Sequence, residues 1–160
     1  MENNIIKVQG TLLLKNFSTH NQVTDEGLQH LMSALASTTN YPTSITHLGF
    51  LKTIPSTSLK TLTFNQIKEY LCAYATVTIS SRDLQDNAVT FTAKISQGVE
   101  CRDPFNAACL IANGNTSSSS DETYTSSGEE VLFSITQFPT IYKDDWDDFV
   151  SKWIIKFTAE

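Results

Sequence analysis

The densest cluster of side chains able to do chemistry is the run Asp144, Asp145, Trp146, Asp147, Asp148. Paired carboxylates hold Ca²⁺ or exchange protons as general acid and base. A calcium-binding hand needs a central glycine and a closing glutamate at fixed spacing, and this run has neither. Four acids just before an apolar terminal stretch therefore read as a solvated turn. Asp83 and Asp86 read as turn formers for the same reason. The 113–130 segment, NGNTSSSSDETYTSSGEE, offers many hydroxyls, which are nucleophiles only when a base activates them. No G-x-S-x-G elbow surrounds these serines, and His20, His30 and His47 stand apart without ligand or relay spacing. The serines read as a flexible loop.

Cys72, Cys101 and Cys109 are odd in number and form no C-x-x-C pair, so neither a disulfide framework nor a zinc site is expected. Cys101 and Cys109 are close enough in sequence to meet across a loop, but buried free thiols are the simpler expectation. The six glycines are dispersed and build neither a phosphate loop nor a dinucleotide fingerprint. Two glycosylation sequons, at Asn16 and Asn115, are expected by chance at this composition. No catalytic residue, metal ligand or cofactor is therefore assigned, and the expectation is a protein that is not an enzyme.

The 160 residues suffice for one domain with a substantial core. Net charge is −6, and the basic residues are scattered, which argues against nucleic-acid binding. The start, MENNIIKVQG, has no signal-peptide pattern, and no apolar run is long enough to span a bilayer as a helix. Synthesis and folding in a cytoplasm, with no membrane partner, are expected.

Strand patterns dominate. VTFTAKIS sets Val89, Phe91, Ala93 and Ile95 on one face. EEVLFSITQF sets Val131, Phe133 and Ile135 together. FVSKWIIKF sets Phe149, Trp153, Ile155 and Phe157 against Val150, Lys152, Ile154 and Lys156. SITHLGFLKTI reads as extended, and 59–64 alternates. QIKEYLCAYATVTIS reads as a short helix or turn that feeds a strand. The clearest helix spans 24–36, with Thr24 as N-cap and Asp25 and Glu26 in the first turn. Leu28, Leu31, Met32 and Leu35 form its apolar stripe. The fold class expected is mainly β (α+β): an antiparallel β-sandwich with one N-terminal amphipathic helix and possibly a second short helix. Residues 1–20 read as an N-terminal arm or strand. Residues 21–160 form a single domain with a flexible Ser-rich loop at 113–130.

The order of these features resembles a known group. NQVTDEGLQHLMSALA is similar to the N-x-V-T-x-x-G-L-x-x-L-x-x-x-L segment of bacteriophage tail-fibre and tail-collar attachment domains. Further on come Ile45 to Gly49, VTFTAKIS, the apolar NAACLIANG, and VLFSITQFPTIYKDDWDDFVSKWIIKF, with Lys143 and Trp153 where the group has its Lys and Trp. The chain departs at Ala107-Ala108-Cys109-Leu110, where Glu-x-Gly-Leu is frequent, and its Ser-rich loop is longer. The resemblance implies a virion structural protein that docks a fibre or adaptor to a tail or baseplate, without enzymatic activity. Its implied partners are other virion proteins and copies of itself, most often as a trimer. A capsid decoration or head-fibre protein, or a module binding a host receptor, are the alternatives. Interaction candidates are Leu12, Leu14 and Phe17 from the N-terminal stretch, Asp121 and Tyr124 from the loop, and Trp146.

Overall fold

Alternation sets the strands, and the strands close on themselves. A computed structural model describes residues 6–14, 17–37, 44–54, 58–95, 104–115, 124–142 and 148–159. Along β8 (Phe149–Ala159), Ser151, Trp153 and Ile155 are buried while Lys152 and Lys156 face water, as the period of two requires. This strand lies between β1 (Ile6–Leu14) and β5 (Ala88–Ile95), with Trp153 opposite Leu12 on one side and Phe91 on the other. Adding β2 (Phe17–Val23), β3 (Ile45–Leu51), β4 (Leu71–Asp83), β6 (Phe105–Ala112) and β7 (Val131–Ile141) gives a closed antiparallel barrel. Its order is β1-β2-β7-β6-β3-β4-β5-β8.

The barrel corrects the expected sandwich. Two strands change partner along their length. β4 pairs with β3 from Leu71 to Thr76 and with β5 from Val77 to Asp83. β2 pairs with β1 from Phe17 to Asn21 and with β7 through Gln22 and Val23. A strand shared in this way turns the corner between two layers and removes the open edges of both. Inward and outward residues alternate alike in a sandwich and a barrel, so the pattern of side chains does not separate them.

An eight-stranded barrel is just wide enough for its interior to be filled by side chains. Trp153, Phe50, Phe91, Phe105, Leu48 and Leu12 contribute to that filling. Leu12 is 0% exposed and Leu14 8%, which corrects their expected role as contact residues: both belong to the interior. β1 is paired on both sides, so Ile6–Leu14 is a wall strand and not an arm.

A second apolar layer lies outside the barrel. The chain leaves β3, makes a 3-10 turn at Leu59–Thr61, a short helix α2 (Phe64–Ile67) and another 3-10 turn at Lys68–Tyr70. Leu62, Phe64 and Ile67 pack there on Cys109, Ile111 and Leu132. The alternation expected over 59–64 is thus not a strand. A bulge in β7 also separates side chains expected to share a face. Leu110 pairs with Ser134, but Ile111 pairs with Leu132. Phe133 enters the barrel and Ile135 joins the outer layer. The turn at 83–87 is as expected: Asp83 Oδ1 accepts the N–H groups of Gln85 and Asp86, both at 3.0 Å.

Candidate functional site

Helix α1 (Asp25–Ala36) is fastened to the barrel by its first turn. Thr24 is the N-cap: its Oγ1 accepts the Gly27 N–H at 2.9 Å, satisfying a donor that has no partner inside the helix. The same hydroxyl donates to the Leu132 carbonyl, and the Thr24 N–H donates to the Phe133 carbonyl at 3.1 Å. Glu26 Oε2 accepts from Leu132 N at 2.8 Å and from Phe64 N at 2.9 Å, joining α1, β7 and the start of α2. The buried positions of the helix are Gly27 and His30. Burial lowers the pKa of His30, against the opposing pull of the Glu26 carboxylate.

The stripe that defines the helix in the sequence points the other way. Leu31 packs against the core. Leu28 is 37% exposed, Met32 67% and Leu35 90%. These three lie at i, i+4 and i+7, which places them along one side of the helix. No Asp, Glu, Lys or Arg occurs from Gly27 to Ser37. The result is an uncharged apolar helix face turned to solvent, on a helix whose other side is rigidly held.

A second group of residues gathers at the other end of β3. His47 is fully buried on the outer face of the barrel, edge-on to Tyr74 at 5.9 Å and to Tyr124 at 5.6 Å. Tyr124 also meets Tyr74 and Phe64. Its hydroxyl accepts the Asn115 N–H and donates to Glu130 Oε1, both at 3.0 Å. Glu130 further accepts from Ser126 Oγ and from the N–H groups of Ser127 and Gly128. Burial alone pushes the Glu130 carboxyl up, but this ring of donors outweighs it and holds it below the usual carboxylate range. Burial pushes the Tyr124 hydroxyl well up. The network ties both ends of the Ser-rich segment to the barrel wall.

Of the interaction candidates, Tyr124 alone has a described environment outside the barrel, and it is a structural tie at the loop base. Leu12 and Leu14 lie inside the barrel. Phe17 begins β2, and its side chain lies outside the described structure, as do Asp121 and Trp146. Asp148, the last of the acidic run, makes an ion pair with Lys94 at 2.9 Å. Cys72 and Cys109 are not joined in a disulfide, the Cys72 thiol donates to the Phe50 carbonyl at 3.4 Å, and Cys101 lies outside the described residues. Among the described residues no three His, Cys, Asp or Glu side chains come together as metal ligands. The outward turn of α1 is not given by the periodicity of its apolar residues. Its signal was Gly27, a residue without a side chain in the first turn, which marks the packed side. Comparison with protein families, with curated proteins and with solved structures found no match in any of the three.

Proposed function

We propose that this chain is a non-enzymatic structural subunit of a bacteriophage virion, a docking or adaptor part of the tail, baseplate or fibre apparatus, and that it docks through the outward face of α1. One observation carries the docking half. Leu28, Met32 and Leu35 project into water from a helix pinned to β7 by Thr24, Glu26 and Gly27. Leaving large apolar side chains exposed loses about 1.5–3 kcal/mol per residue relative to burying them. Grouped on one firmly held helix whose residues from Gly27 to Ser37 carry no charged side chain, they have the character of an interface core, which is depleted of charged residues.

The occupant of this face is a neighbouring copy of the chain. Such faces carry no like charges to repel one another, and three copies can bring the same face to a common threefold axis. A trimer is the favoured state, as the resemblance implies, with other virion proteins bound to the assembled unit. The virion half rests on the ordered motifs, of which the N-x-V-T-x-x-G-L segment is the first turn of α1 and the strand leading to it. The geometry gives that motif a physical role: Thr24 caps, and Gly27 permits the close approach to β7.

A photo-reactive residue in place of Met32, in particles of the virus that encodes the chain, tests both halves. Mass spectrometry is expected to find the chain in purified particles, cross-linked at position 32 to a second copy. Its absence from purified particles would overturn the virion half. Presence without any cross-link from position 32 would overturn the use of α1.

A further inference from the structure

The buried His47 sits beneath the tie that holds the Ser-rich segment, and the hydrogen bonds fix what it can tolerate. Thr46 Oγ1 accepts the Gly114 N–H at 2.8 Å and lies 3.3 Å from the Ile111 carbonyl, to which its hydroxyl donates. His47 Nδ1, 2.9 Å from the same oxygen, then supplies the remaining donor. That leaves Nε2 as the unprotonated nitrogen of a neutral ring. It is buried and has no hydrogen-bond partner among the described residues. A proton there would be enclosed without an acceptor, and a buried charge without a partner is costly.

Space is equally tight. A Cβ built on Gly114 would lie 2.4 Å from His47 Nδ1 and 2.8 Å from the Tyr124 hydroxyl oxygen. Gly114 is therefore clamped between the histidine and the tyrosine, and a protonated ring has no room to turn while the clamp is shut. The titratable groups around His47 are few. β4 presents Tyr74, and the Ser-rich segment presents Tyr124 and Glu130. β6 places Ile111 opposite it, with the Cys109 thiol at the next outward position. α2 reaches this cluster through Phe64, which meets Tyr124.

We propose that His47, Tyr124 and Glu130 form an acid-released clasp: with His47 neutral the two ends of the 113–130 segment are held on the barrel wall, and protonation of His47 frees them. The clasp is independent of the docking role of α1. Its direction follows from burial, which lowers the pKa of His47 despite the nearby Glu130 carboxylate. The open state, with an ordinary histidine, takes up a proton below about pH 6.5 while the closed state still refuses it. Closure is therefore complete above that pH and weakens as pH falls toward the lowered value. Glu130 has the opposite kind of shift but the same consequence in acid. Its carboxyl is held below the usual range, so its contribution stands above the ordinary carboxylate pKa and is lost at still lower pH.

Amide hydrogen exchange of Gly114 and Asn115 in the full chain, corrected for intrinsic rates, reads the opening. The wild type is expected to open about tenfold more for each pH unit below about 6.5, until His47 titrates in the closed state. H47Q is expected to be flat over that window and to open only where Glu130 accepts a proton. A parallel NMR titration of the histidine rings is expected to place His47 below the ordinary histidine value. An H47Q variant that keeps the wild-type slope would overturn the clasp, and so would a folded-state His47 that titrates at 6.5 or above. If H47Q fails to fold, the wild-type slope and ring titration decide the matter.

Discussion

Gly27 and Phe133 meet backbone to backbone: a Cβ built on Gly27 would lie 2.3 Å from the Phe133 carbonyl oxygen and 2.9 Å from its Cα. Helix α1 rests on the barrel through a residue with no side chain, and its larger apolar residues are left to face outward. Replacing Gly27 with Ala adds helix propensity worth up to about 1 kcal/mol. The added methyl meets backbone, which has no rotamer to yield, and overpacking of this kind costs about 1–3 kcal/mol. G27A is expected to unfold at lower urea concentration than the wild type. An unchanged or higher midpoint would show that α1 is not seated as described.

Glu26 joins three elements through one carboxylate oxygen. E26A leaves the amides of Phe64 and Leu132 without their acceptor, and is expected to lower stability by about 1–3 kcal/mol. E26Q keeps an oxygen acceptor at the same reach and is expected to lose less. Urea titrations of the two variants compare them directly, and equal losses would mean that the charge, not the acceptor, matters.

Tyr124 ties the loop base through its hydroxyl, while its ring packs on His47, Tyr74 and Phe64. Y124F keeps the ring and removes the tie. Its cost is expected near 1 kcal/mol, with faster amide exchange at Asn115 and unchanged exchange in β8. Uniformly faster exchange would mean a global loss of stability instead.

Cys109 is sealed between β3 and the outer layer, and burial pushes its thiol up to about 12. The thiolate is the nucleophile, so alkylation of Cys109 at pH 8 in the folded protein is expected to be far slower than that of half-buried Cys72. Peptide mapping after timed iodoacetamide exposure measures both rates. Comparable rates would show that the outer layer opens readily.

Much of the wall was legible from alternation. In β5 and β8 the apolar inward residues fall on the expected face, because a strand with one buried face must alternate, and only the buried Ser151 was left unassigned. Closure was not legible, since it depends on β4 and β2 changing partners, and no side chain announces that. The stretch 59–64 looked alternating because Leu62 and Phe64 are both apolar, whereas the short helix or turn expected from Gln66 on, feeding a strand, is present as the end of α2, the 3-10 turn and β4. The overlooked signal was Thr63-x-x-Gln66, whose glutamine oxygen accepts the Thr63 N–H at 3.0 Å to start α2. The site was least legible. Leu12 and Leu14 looked like contact residues because an apolar run near a terminus has the same composition as a barrel wall. Helix α1 was found with its cap, but the orientation of its stripe was set by backbone packing at Gly27, which periodicity does not report.

The Leu28, Met32 and Leu35 face of α1 is proposed as the interface between copies. Light scattering on the wild-type chain and on the double variant M32S/L35S tests it most directly. Both side chains are exposed in the single chain, so the double variant is expected to stay folded, with a cooperative urea transition, and to lose only the stability that association adds to the wild type. The wild type is expected to have a mass of several chains, three being favoured, and the folded variant that of a single chain. A wild type that stays a single chain at all concentrations, or a variant that assembles as the wild type does, would contradict it.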